Sequence, residues 1–158
     1  MKKLIVFFFL LVLWTACKKS DTPPTNNVPT KDSSHWFKVN NTYYYPDSVI
    51  SVHDNVNKTL IATDDSGNIC YLIFGKYPNS NGTFKITDNP QDGANEVSII
   101  TQTKSFGRVT ATGSDHQSLT ATIDGSSKIT AIAPPSWAAI LGNFADSVKI
   151  SCNLKQTK

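Results

Sequence analysis

The chain has 158 residues, with 15 Lys and Arg against 12 Asp and Glu and a formal net charge of +3. Apart from two N-terminal lysine pairs its basic residues are spread singly, which excludes the charged stripe or face of a nucleic-acid binder. The part from His35 onward, about 124 residues, is the size of one domain with one core.

Lys2 and Lys3 precede an apolar run from Leu4 to Leu13 and then Trp14-Thr15-Ala16-Cys17. This charged, apolar, small-residue order predicts a secretory signal over residues 1–16. A helix crossing the bilayer needs roughly 20 apolar residues, so a run this short, ended by Lys18 and Lys19, does not predict a span. Thr15 and Ala16 before Cys17 resemble a lipobox, the motif read by the lipoprotein signal peptidase. Trp14 stands where that motif usually has Leu, with Leu13 one place further back, a relaxed form similar to that of Bacteroidetes-type lipoproteins. The resemblance implies that Cys17 is acylated by palmitate-type chains and anchors the chain to the outer membrane. Facing the periplasm and facing the medium both stay open. Removing the signal leaves 13 basic against 12 acidic residues, a net charge of about +1.

Residues 17–34 comprise the lipid site Cys17 and then, from Lys18 to Ser34, KKSDTPPTNNVPTKDSS, whose single apolar residue is Val28. Such a segment buries too little surface to offset its chain entropy, so it reads as a disordered tether. At ~3 Å per residue it reaches up to roughly 50 Å from the bilayer.

Residues 35–158 contain one Glu, no Met and few Leu, but many Thr, Ser, Asn, Val, Ile and Tyr. Helices lack their formers and strands are supplied with theirs. Short alternating runs recur between turn residues: Trp36 to Val39, Thr42 to Tyr45, Val49 to Val52, Thr59 to Thr63 and Ile69 to Phe74. Then come Thr83 to Thr87, Val97 to Thr101, Phe106 to Thr112, Leu119 to Ile123, Lys128 to Ile132 and the clean alternation from Val148 to Leu154. Asn40-Asn41, Asp64 to Asn68 and Asp124 to Ser127 read as hairpin turns. The expectation is an all-β fold, an antiparallel β-sandwich or partly open barrel of about 8–10 short strands. Ser136 to Leu141, after Pro134-Pro135, is expected to form a single helical turn.

The strands "GTFKIT" and "SVKISCNL" and the hairpin "SLTATIDG" resemble small Bacteroidetes envelope lipoproteins of uncharacterised function. That resemblance implies a β-sandwich in the envelope and brings no catalytic residue. Asp47-Ser48-Val49 and Asp146-Ser147-Val148 resemble O-glycan acceptors of such proteins, which makes Ser48 and Ser147 candidate modification sites. The alternative for both is a plain strand start.

No nucleophile with its base, no paired carboxylates and no metal-ligand spacing is legible. His35, His53 and His116 are far apart and lie among polar residues. The oxygen-rich loop Asp88 to Glu96 departs from a calcium-loop pattern at Pro90 and Ile99, and reads as a solvated hairpin. The expectation is therefore a non-enzymatic binding or structural module without cofactor, its partner an envelope protein or a glycan. The alternatives are a glycan-binding accessory module or, less favoured, a small secreted hydrolase using His53 or His116. Trp36, Tyr43, Tyr44, Tyr45, Tyr77 and Trp137 are the aromatics that could face sugar rings, with Tyr43 and Tyr45 on one face and Tyr44 on the other. Cys70 shares a strand face with Leu72 and Phe74, and Cys152 with Ile150 and Leu154. The two cysteines are candidate disulfide partners, the alternative being two separate buried thiols.

Overall fold

The computed structural model describes residues 34–158, with the backbone alone at 143–146. The signal segment, Cys17 and the tether before Ser34 lie outside the described residues. Eleven strands and no α-helix occupy the described chain: β1 (Trp36–Val39), β2 (Thr42–Tyr44), β3 (Ser48–His53), β4 (Lys58–Thr63), β5 (Ile69–Phe74), β6 (Gly82–Ile86), β7 (Glu96–Thr103), β8 (Gly107–Ala111), β9 (Ser118–Ile123), β10 (Ile129–Ile140) and β11 (Asn143–Lys155). The all-β expectation holds, with eleven strands rather than 8–10. The pairing is antiparallel throughout except where β6 meets β7 in parallel at Lys85↔Glu96 and Ile86↔Val97.

All eleven strands belong to one sheet, in the order β2-β1-β11-β10-β9-β6-β7-β5-β4-β3, with β8 joined to both β10 and β7. β10 gives one edge to β11 and shares the other between β9, at Ile129–Ile132, and β8, at Ala138–Ile140. β7 likewise gives one edge to β5 and shares the other between β6 and β8. The hydrogen-bonded path β10-β9-β6-β7-β8 therefore returns to β10, and the sheet folds on itself around a single core. At the outer ends the Thr157 N–H donates to the Val49 carbonyl at 2.8 Å, so the segment after β11 reaches β3. The result is consistent with a sandwich or a partly open barrel.

The core follows from strict alternation. Phe37, Leu60, Leu72, Ile99, Leu119, Ile150 and Leu154 are buried at every second position of their strands, and the residues between them are half-buried or exposed except for the buried Ser98 and Ser151. Each such side chain contributes roughly 1.5–3 kcal/mol by leaving water.

One expectation is overturned. Ser136 to Leu141 is not a helical turn: residues 136–140 are the second half of β10, extended and paired to β8 and β11. Prolines lack the N–H that a ladder needs, and Pro134-Pro135 sit at a bulge, where the ladder passes from Ala133↔Cys152 to Ser136↔Ile150. β10 takes three steps there while β11 takes two.

The turns are held by carboxylates on backbone N–H groups, as turn chemistry requires of Asp. Asp64 Oδ1 accepts from Ser66 and Asn68, and Asp124 Oδ1 from Ser126 and Lys128. The Asn40-Asn41 hairpin takes its one left-handed residue from Asn40, at φ 51°. In the β3–β4 turn Asp54 accepts from the backbone of Asn57 at 2.6 Å and of Val56 at 2.7 Å, and from the Asn57 side chain at 2.9 Å. These bonds, led by the Asn57 N–H, lower its pKa from 3.8 to about 2. The carboxyl of Asp124 is lowered as well, first by the Lys128 N–H.

A carboxylate held below its unfolded value resists protonation only in the fold. Its stabilising contribution is thus complete above 3.8 and is lost as the pH falls through about 2. The urea midpoint should stay flat from neutrality to about pH 4 and drop below it, and Asp54→Ala should flatten the drop. An acid profile identical in Asp54→Ala would show that the turn does not carry this dependence.

Candidate functional site

The outward face of β2, β1, β11 and β10 collects most of the side chains with binding chemistry. Along β1 and β11 the inward residues are Phe37, Val39, Val148, Ile150, Cys152 and Leu154, so Trp36, Lys38, Ser147, Lys149, Ser151 and Asn153 face out. Cross-strand register sets them in rows. Tyr43, Lys38 and Ser151 lie side by side, Lys149 opposes Trp137, and Trp36, Asn153 and Ile132 form a third row.

Trp137 owes its place to the bulge. Before Pro134-Pro135 the inward residues of β10 are the odd positions 129, 131 and 133; after it they are Ser136 and Ala138. The extra residue shifts the parity by one, which sends Trp137 outward, 42% exposed, and leaves Ala138 inside at 1%. A bulge re-aims side chains in just this way. Three further contacts fix the Trp137 backbone: its N–H donates to Asp115 Oδ2 at 3.0 Å, and its carbonyl accepts from the Thr112 N–H at 2.9 Å and the Thr112 hydroxyl at 3.1 Å.

Beside it opens a groove of about 570 Å³, bounded by Lys38, Asn40, Asn41, Pro135, Trp137, Ser147, Lys149 and Ser151. No carboxylate lines it. Lys149 Nζ stands 4.7 Å from the centre of the Trp137 ring, and Lys38 Nζ 4.7 Å from that of Tyr43. Trp36 meets Tyr43 edge-on at 5.3 Å, and Tyr43 stacks with Tyr45 at 6.2 Å. Asn40 ties this corner down: its N–H donates to the Lys149 carbonyl at 2.7 Å and its Oδ1 accepts from the Lys149 N–H at 2.9 Å.

The aromatics proposed from sequence thus separate. Trp36, Tyr43, Tyr45 and Trp137 share this face. Tyr44 is in the core, 8% exposed and stacked on Phe37. Tyr77 lies elsewhere, stacked on His53 with ring centres 4.0 Å apart and its hydroxyl hydrogen-bonded to that of Ser51. Lys38, Lys149 and Ser151 were not singled out from the sequence, although the alternation of "SVKISCNL" already places the last two opposite the core residues.

The remaining candidates fall in separate places. Ser48 begins β3, half-buried, and Ser147 is exposed at the groove rim. His35 is buried with Nδ1 3.1 Å from the neighbouring Ser34 hydroxyl, and His116 sits in a turn at φ 54°. In the loop after β6, Asp92 pairs with Lys58, and Glu96 Oε2 accepts from the Gln91 N–H at 2.9 Å. Among the described residues no group of three His, Cys, Asp or Glu is placed to hold a metal ion. Cys70 and Cys152 are free thiols, both fully buried. The chain matches no family model, no curated protein and no solved structure.

The bulge argument has a direct test. Deleting Pro134 and Pro135 together makes Trp137 the second residue after Ala133, so plain alternation aims it into the inward place that Ser136 fills, an overpacking that costs roughly 1–3 kcal/mol. The urea midpoint should fall and the tryptophan emission shift to shorter wavelength; an unchanged midpoint would show that Trp137 does not depend on the bulge.

Proposed function

We propose that this chain is a lipid-anchored, non-enzymatic binding module of the cell envelope, and that the groove beside Trp137 receives a glycan. The observation that carries the reading is a large aromatic side chain turned out of a sheet by a bulge and surrounded by donors. Flat rings offer apolar surface to the C–H faces of sugars, while Lys38, Asn40, Lys149 and Ser151 offer polar groups to hydroxyls around them. A sugar settling on Trp137 displaces the Lys149 ammonium from the ring, and the freed ammonium then donates to the ligand. The rigid strand positions keep the ordering cost of binding low.

The anchor rests on the sequence: a basic, apolar and small-residue N-terminus ending at Cys17, then a polar tether. A second reading, docking on an envelope protein, draws on the opposite wall. There Ile50, Ile61, Tyr71 and Ile100 lie in one cross-strand row on the outer face, with Ile73 beside them 36% exposed.

Two measurements test the first reading. Cys17→Ser should move the protein out of the detergent phase, and retention there would remove the anchor. On an array of neutral and acidic polysaccharides, Trp137→Ala should lose roughly tenfold or more in affinity while Tyr77→Ala binds as the unaltered chain does. Glycan binding that survives Trp137→Ala would remove the groove.

A further inference from the structure

The core brings together two groups that the proposed binding face does not use. Cys70 lies on β5 and Cys152 on β11, strands separated in the sheet by β10, β9, β6 and β7. Each nevertheless points inward from its own wall of the folded sheet at 0% exposure, and the Cys152 thiol is a hydrogen-bonding neighbour of the Cys70 thiol. The ladder leaves room beside each of them. On one side the neighbour is a buried alanine, Ala62 for Cys70 and Ala133 for Cys152, while Thr101 and Phe37 stand on the other sides.

We propose that Cys70 and Cys152 form an intramolecular disulfide that ties β5 to β11 through the core, and that it closes while the chain folds. The timing follows from burial. A thiol reacts as its thiolate and only where an oxidant can reach it. In the finished fold neither sulfur touches solvent, and the neighbouring Cys152 thiol, with burial as the second cause, raises the Cys70 pKa well above its ordinary 9.0. A domain that folds reduced is therefore slow to oxidise, and one that folds oxidised is slow to be reduced.

The chemistry is two exchanges with a dithiol–disulfide oxidant. The Cys70 thiolate attacks one sulfur of the oxidant's disulfide, forming a mixed disulfide and releasing the oxidant's other sulfur as a thiolate. The Cys152 thiolate then attacks the Cys70 sulfur and expels the oxidant's second sulfur. The two cysteines lose two electrons and two protons, and the oxidant's disulfide becomes a dithiol. The bond closes a loop of about 80 residues and so restricts mainly the unfolded chain. In the cell this needs an oxidising compartment and thus rests on the export reading above.

The test separates the bond from the compartment. The full chain carrying Cys17→Ser, which leaves two thiols, is refolded from urea in glutathione redox buffer, denatured without reductant and treated with a maleimide. The proposal expects no labelled cysteine and one peptide pair linking Cys70 to Cys152; two labelled cysteines would overturn it. The oxidised protein should keep its bond in dithiothreitol until urea is added, and equal loss without urea would overturn the buried placement. Cys70→Ala, Cys152→Ala and the double variant should lower the urea midpoint by the same amount, roughly 2 M. Additive losses would instead mark two independently packed thiols and overturn the bond. The unaltered chain, trapped with maleimide as cells are opened, reads the compartment alone. Free Cys70 and Cys152 in a protein that bridges on refolding would overturn export and leave the bond standing.

Discussion

The fold depends on one constraint: a single sheet must keep its core residues on one face through eleven strands. A slip of one residue in any strand would exchange its buried and exposed sets. The stakes are unequal. Each core side chain is worth roughly 1.5–3 kcal/mol in burial, whereas a ladder hydrogen bond contributes about 1 kcal/mol net. The sheet can therefore lose bonds locally to preserve the pattern overall, and at Pro134-Pro135 it does. The sequence beyond the prolines, Ser-Trp-Ala-Ala, fits the wall only with Ser136 and Ala138 inside, because Ala111 and Val148 already fill the space on either side. The bulge supplies that phase. The large ring left outside is the centre of the candidate site.

The same constraint explains the pairing of β7 and β10. A one-sided sheet this wide would expose its apolar face unless it curled, and curling brings its strands into reach of each other a second time. β8 spans the gap between the later parts of β7 and β10, while β9 and β6 span it between their earlier parts. Few strand edges are then left open. At one end β2 is only three residues long, and at the other Thr157 covers Val49 on β3, so neither edge offers a long template for another chain.

Much of this was legible in sequence because turn chemistry is local. Asp64, Gly67 and Asp124 mark their hairpins by themselves, and the runs from Trp36 to Val39 and from Ile69 to Phe74 coincide with β1 and β5. Pro134-Pro135 misled for an equally local reason: proline often opens a helix, and Ala138-Ala139 suits one. Only the partners β8 and β11, distant in sequence, hold that segment extended. Strand order was hidden on the same grounds, since β1 pairs with β11 from the other end of the chain. Half of the site could be read. The alternation of Tyr43 and Tyr44 gave their faces, but the companionship of Trp137 with Lys149 depends on a register set by the bulge.

β11 carries both features argued above on its two faces. Lys149 and Ser151 point into the groove, while Ile150 and Cys152 point into the core from the same stretch of backbone. A strand cannot shift one of these sets without the other. A bond from Cys152 to β5 would therefore fix the height and phase at which Lys149 meets Trp137, although it touches neither residue. Such support matters for a shallow site, where affinity comes from a few donors held in place rather than from enclosure. Such a tie and the open face would then be parts of one arrangement: the core would hold the strand still, and the strand would present its polar side chains in a fixed order.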